Sequence, residues 1–213
     1  VNGEGAFWKG KKIDRENIQF SSFNKPYYFQ ENKKLLIGLA ISPPKKGFED
    51  ILKMATEIGV DIIQPLISER QIKKVSNQSL KLDRWDSITK ESVEQSERLW
   101  RPEILNFIDV LDWIKSINDN DFVSISVTRN ENTIGLRDWI TNKKFLHEKN
   151  LIIWNVIGPE GGWSTNEIKN FKNSKMQFIK LSENILRTST AAIYTASVLA
   201  DWRNKVISSI NYS

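Results

Sequence analysis

The chain has 213 residues, 39% of them hydrophobic and 27% charged, which is the balance of a water-soluble globular protein with a sizeable core. It holds no cysteine and a single histidine, His147; this excludes disulfides, zinc ribbons, iron–sulfur clusters and a Cys nucleophile, leaves no histidine cluster for a metal, and disfavours a Ser-His-Asp triad. Lys and Arg number 31 against 26 Asp and Glu, a net charge of +5 that suits nucleic acid and equally suits a solvated enzyme surface.

No apolar run approaches the roughly 18–20 residues that a membrane-spanning helix needs. The start, Val1-Asn2-Gly3-Glu4-Gly5, lacks the basic region and apolar core of a signal peptide, so a cytoplasmic location without a membrane or a metal is expected. Residues 1–34 mix glycines and Pro26 with short aromatic and β-branched stretches, which predicts strands and turns too short for a core of their own. Leu35–Ile41 is a continuous apolar run stopped by Pro43-Pro44, the pattern of a buried strand. Phe48, Ile51, Leu52, Ala55 and Ile58 recur at helical spacing, with Gly59 as the C-cap. Ile62–Ile67 contains Pro65, which predicts a strand in an irregular or edge position.

A charged helix is expected over 81–105, ending near Pro102, and a second over Asp109–Ile117. Trp85 is expected in the core, and His147 in a solvated Lys-rich loop. Strands are expected at Phe122–Val127, Leu151–Ile157 and Gln177–Leu181, and helices at Leu136–Ile140, Ser164–Phe171 and Arg187–Arg203. Apolar strands alternating with helices predict an α/β fold on a mostly parallel, doubly covered sheet.

Two loops stand out. Gly158-Pro159-Glu160-Gly161-Gly162 follows a buried strand and precedes a helix whose start is marked by the capping box Ser164-x-x-Glu167. Glycines there let a ligand approach the backbone, yet neither a dinucleotide fingerprint nor a Walker A loop is present, and a plain tight turn has the same composition. Leu181–Leu186 again joins a strand to a helix, and Arg187-Thr188-Ser189-Thr190 opens that helix. Two such loops at one sheet edge, one strand apart, predict a walled pocket.

Ile157–Gly162 with Ser164 and Glu167, then Ile185-Leu186-Arg187-Thr188 with Thr190-Ala191, resembles the RsmE family of 16S ribosomal RNA (uridine-N3) methyltransferases of the SPOUT class. Lys53–Val60, Arg84-Trp85, Glu94-Gln95-Ser96-x-Arg98 and Pro102 follow the family's order of motifs, from about residue 35 to the end. The resemblance implies a SPOUT-type parallel sheet with a C-terminal trefoil knot over about 151–203, S-adenosylmethionine (SAM) bound in the knot loops, and a homodimer acting on 16S rRNA or the small ribosomal subunit. It also implies that residues 1–34 are part of a β-rich, PUA-like RNA-binding domain. Val1–Gly5 resembles the middle of that domain, so its first strands are expected to be missing and RNA binding to be poor. Three positions depart from the family pattern: Ser182 stands for Gly, Asn184 for Arg and Ser189 for Glu.

On this reading Val127, Gly158, Pro159, Gly161, Gly162, Leu181, Ile185, Leu186 and Thr188 hold the cofactor. Arg187 stabilises charge developing on the uracil, with Glu160 as the candidate general base, and Lys46, Arg70, Arg84 and Arg98 position RNA. Two rivals stand beside it: a catalytically silent SPOUT-fold ribosome-assembly factor, and a SPOUT enzyme with another RNA target. A hydrolase lacks a nucleophile–His pair.

Overall fold

The computed structural model describes residues 6–7, 10–20, 27–28, 34–71, 78–128, 133–143, 150–174 and 176–211; His147 lies outside them. Near the N-terminus β1 (Ala6–Phe7) pairs antiparallel with β4 (Tyr27–Tyr28), and β2 (Gly10–Lys12) with β3 (Ile18–Phe20). Asp14 organises the β2–β3 turn, its Oδ1 accepting from the backbone N–H groups of Glu16 and Asn17 at 2.8 Å each.

From Leu35 onward one eight-stranded sheet forms, and every pairing in it is parallel. Its strands are β5 (Leu35–Ile41), β6 (Ile62–Ile67), β7 (Glu103–Ile104), β8 (Ile108–Asp109), β9 (Phe122–Ser126), β10 (Ile134–Gly135), β11 (Leu151–Ile157) and β12 (Gln177–Lys180). The order across the sheet is β10-β12-β9-β11-β5-β6-β7, with β8 also pairing with β6. The connecting helices are α1 (Phe48–Ile58), α2 (Gln78–Gln95), α3 (Val110–Ser116), α4 (Leu136–Thr141), α5 (Thr165–Lys172) and α6 (Thr188–Asn211).

Helices cover both faces, so the central strands are apolar on both sides. Leu35, Ile37, Leu39 and Ile41 of β5 join Ile153 and Ile157 of β11 in a core with residues of α1, α2, α4 and α6. The alternate residues Ala40, Trp154 and Val156 join Trp113 of α3 and Phe171 of α5 on the other face. Gly38 lies opposite Trp154 in the β5–β11 register. A Cβ there would fall 2.3 Å from the Trp154 ring, so only glycine leaves room for the indole, which packs edge-on against Trp113 at 5.5 Å.

The β5–α1–β6 unit follows its sequence signals. Gly59 ends α1 with φ 108°, its N–H donating to Ala55 O and Thr56 O. Asp61, just after it, binds at the edge where the parallel strands begin. Its Oδ2 accepts from Ile37 N at 2.9 Å and from Arg203 of α6, and its Oδ1 from Arg98 Nη2 at 3.0 Å. Burial pushes the Asp61 carboxyl above its ordinary pKa, while Arg203 and Arg98 pull it back.

Of the two positions expected for Ile62–Ile67 the irregular one holds, and the end of the charged helix is corrected. Ile62–Ile67 is not an edge strand, since β5 flanks it on one side and β7 and β8 on the other. Ile62–Ile63 pair with β7 and Leu66–Ile67 with β8, so Pro65 stands in the break between them. Gln64 Nε2 ties that break, donating to Pro65 O at 3.0 Å and Asn106 O at 2.7 Å. The helix expected to run to Pro102 stops at Gln95. Glu97 takes φ 56°, and Arg98 N–H donates to Val93 O at 3.0 Å, closing α2 without glycine or proline. No helix among the described residues is long and apolar enough to cross a membrane.

Candidate functional site

The carboxyl ends of β9, β11 and β12 lie side by side, β9 in the middle, which brings the two singled-out loops to one edge of the sheet. After Ile157 the chain turns tightly: Gly162 N–H donates to Pro159 O at 2.8 Å, and Gly162 itself takes φ 69°. Gly158 backs onto Trp163, so a Cβ at Gly158 would meet the indole at 2.8 Å. The Trp163 ring is held edge-on by Phe171 at 5.0 Å, and its buried Nε1 meets no acceptor among the described residues.

Ser164 then caps α5 as its sequence predicts. Its Oγ accepts from Glu167 N at 3.0 Å, and its own N–H donates to Glu167 Oε2 at 2.6 Å. The fully buried Glu167 carboxylate does a second job that no local pattern announces, accepting Glu69 N–H on Oε1 at 2.9 Å. Asn166 Nδ2 donates to Glu69 Oε1 at 2.8 Å, and hydrogen bonds from Asn166 and Ser164 hold the Glu69 carboxyl below the usual carboxylate range. The loop after β6 is thereby clamped to the glycine turn, and Arg70 Nη1 reaches Gly161 O at 3.5 Å.

The second loop is built around its own turn. Ser182 Oγ accepts from Asn184 N at 3.1 Å, and Lys180 Nζ pairs with Glu183 at 2.6 Å. The φ of Ser182 lies outside the left-handed region, so serine fits where the family pattern has glycine. Thr188 Oγ1 donates across to Gly158 O at 3.4 Å, joining the second loop to the first.

Between the loops lies a cavity of about 780 Å³, the size of a pocket for one extended small molecule. All nine residues expected at a cofactor line it: Val127, Gly158, Pro159, Gly161, Gly162, Leu181, Ile185, Leu186 and Thr188. Arg187, Glu160 and Arg70 line it as well. Lys46 and Arg84 line a neighbouring cavity that shares Pro159 and Glu160 with the first; Arg84 is paired there with Glu49 at 2.6 Å. Arg98 joins neither group. It sits at the opposite edge of the sheet, bonded to Asp61 and to the carbonyls of Thr56 and Val60 at 2.9 and 2.7 Å, and it anchors the end of α1. Trp85 is buried, its ring 4.5 Å from Phe48.

Sequence reasoning passed over Ser126, Thr128 and Trp163, which also line the cavity. Ser126–Thr128 end a strand just as the two chosen loops do, and that position was the available signal. The cavity therefore combines close backbone approach, apolar walls, the two exposed guanidiniums of Arg70 and Arg187 and the exposed carboxylate of Glu160, with no group of three or more His, Cys, Asp or Glu among the described residues placed to hold a metal.

Residues 30–200 match the family model of the RNA methyltransferase domain. The chain belongs to that family. It is 35% identical over 196 residues to "Ribosomal RNA small subunit methyltransferase E" of Synechocystis sp., covering 90% of this chain and 61% of that protein. It is also 35% identical to the protein of the same name from Mesomycoplasma hyopneumoniae, over 78% of this chain and 68% of the relative. The chain thus spans 61–68% of the length of these two members of the RNA methyltransferase family. Among solved structures, a Legionella pneumophila protein in complex with bound SAM superposes with a TM-score of 0.77 at 24% identity, over 94% of this chain and 80% of that one. The Ribosomal RNA small subunit methyltransferase E of Neisseria gonorrhoeae, bound to SAM, gives 0.73 at 23% identity over the same shares. These likenesses bear on the fold.

Proposed function

We propose that the chain is a SAM-dependent methyltransferase acting on N3 of a uridine in 16S rRNA. One observation carries the reading: the glycine turn after β11 and the loop after β12 wall a single cavity that also receives Arg187 and Glu160. Membership of the RNA methyltransferase family and the 35% identity to a named small-subunit rRNA methyltransferase support the substrate class.

The residues present fit SAM. The glycine turn offers backbone along the cavity wall, with Gly158 backed by the Trp163 indole, and the second loop supplies Leu181, Ile185 and Leu186 as apolar wall. When bound, SAM supplies a sulfonium-activated methyl group, and transfer then needs in-line approach by the nucleophile and no metal. Uridine N3 carries a proton that must leave before or during attack. Glu160, exposed on the turn, is the candidate acceptor for it, and the Arg187 guanidinium, which lines the same cavity, is the candidate to stabilise the negative charge spreading onto O2 and O4.

Arg70, Lys46 and Arg84 are assigned to phosphate contacts, and Arg98 is withdrawn from that set. The chain leaves β11, passes β9 and pairs as β12, and α6 then packs back against β5 and β11. That path supports a knotted C-terminal region of the SPOUT kind, a cytoplasmic homodimer being its expected working form. The antiparallel pairings β1–β4 and β2–β3 fit a β-rich, PUA-like RNA-binding unit.

The test is incubation of the chain with methyl-labelled SAM and either in vitro transcribed 16S rRNA or small subunits, followed by nucleoside analysis. Label in 3-methyluridine is expected. Label in another nucleoside would move the chain to a different RNA target, and SAM binding without transfer would favour the silent assembly factor.

A further inference from the structure

Beyond Pro159 and Glu160, which also wall the cofactor cavity, lies a second cavity of about 440 Å³. Its floor is apolar and partly aromatic. Phe48, Trp85 and Phe107 form a contiguous ring cluster there, with centroids 4.5 and 5.4 Å apart, and Pro43-Pro44 complete it. Lys45, Lys46, Lys81 and Arg84 lie around it. Of the three carboxylates that also line it, Glu49 is engaged in a two-pronged bond with Arg84, at 2.6 and 2.8 Å, which leaves Asp50 and Glu160 against three lysines. Gln71 borders the cavity with one half of its amide committed: Nε2 donates to Pro43 O at 3.4 Å, while Oε1 is buried and meets no donor among the described residues. Having no accessible surface, that oxygen is closed to a ligand in the cavity.

An apolar, ring-sized floor and a cationic surround together describe one ribonucleotide, with its base over the floor and its phosphate against the lysines. Resting on the methyltransferase reading above, we propose that this second cavity seats a nucleotide flanking the target uridine, its base over the apolar floor and its phosphate held by Lys45, Lys46 and Lys81. The shared Pro159–Glu160 wall then separates two successive bases, which holds the target N3 on the cofactor side. The β5–α1 loop thereby becomes part of the RNA-binding surface, although it contributes nothing to the cofactor cavity.

The experiment uses the whole chain, SAM and small ribosomal subunits. Lysine acetylation footprinting read by mass spectrometry is expected to show Lys45, Lys46 and Lys81 protected by subunits and not by SAM alone. The double variant Lys45→Ala/Lys46→Ala, at two exposed positions, is expected to raise the KM for subunits about tenfold with SAM affinity unchanged. Lys81→Ala, at a third exposed position, is expected to raise the KM as well. Methyl transfer by the wild type with the three lysines unprotected, or with KM unmoved in both variants, would overturn the second cavity while leaving the methyltransferase reading intact. No transfer by the wild type would overturn both.

Discussion

Arg187 and Glu160 reach one cavity from different loops, and both are exposed, so neither is held in place by the core. That arrangement suits groups that act on a substrate arriving from solvent. Arg187→Ala is expected to lower turnover on 16S rRNA by about 10²–10³-fold, the effect of removing one charge-stabilising donor, with SAM affinity unchanged. Calorimetry beside initial rates checks this, and a parallel loss of SAM affinity would make Arg187 a cofactor residue instead. At the same scale, Ser182 shows why a departure from a family pattern is to be read through backbone geometry. Its φ asks nothing of glycine, and its hydroxyl closes a turn with Asn184 N.

At the scale of elements, the central strands were legible because burial on both faces produces continuous apolar runs, and Leu35–Ile41 and Leu151–Ile157 have the bounds those runs predict. The Ser164 cap and the Gly59 C-cap were legible because each is local chemistry. The two-residue strands β7, β8 and β10 were not, since two residues carry no periodicity. Nor was the Glu167–Glu69 clamp, which joins residues distant in sequence. Arg98 looked like any surface cation until its partner, Asp61, was in view.

Two variants test these contacts. Gly38→Ala forces a Cβ into the Trp154 ring and is expected to cost about 1–3 kcal/mol of stability, read as a lower midpoint in urea. Asp61→Asn leaves Arg98 and Arg203 facing a neutral amide and is expected to cost on the order of 3 kcal/mol. An unchanged denaturation midpoint for Asp61→Asn would mean that the two arginines find other partners.

Over the whole molecule the parallel sheet separates labour between its edges. The edge where strands begin is locked by Asp61, Arg98 and Arg203, and the edge where they end carries the two cavities, so the cavity loops hang from a fixed frame. The cations assigned to RNA, Arg70 and Arg84 with the cluster Lys45, Lys46 and Lys81 about one phosphate, all lie on the latter side. Three phosphate contacts on a single strand predict a slope of about −2 in log affinity against log salt. Filter binding across a salt series measures it, and a flat line would remove all three from the interface.

The claim on which the rest depends is that the loops after β11 and β12 form a SAM site. The most direct measurement is calorimetric titration of the purified chain with SAM, alongside the Gly158→Val variant, whose added side chain must displace Trp163, itself a wall of the cavity. Saturable binding at one SAM per chain, lost in the variant while its far-UV circular dichroism is retained, is the predicted result. A folded wild-type chain that takes up no SAM, or a variant that binds it as well as the wild type does, would contradict the account.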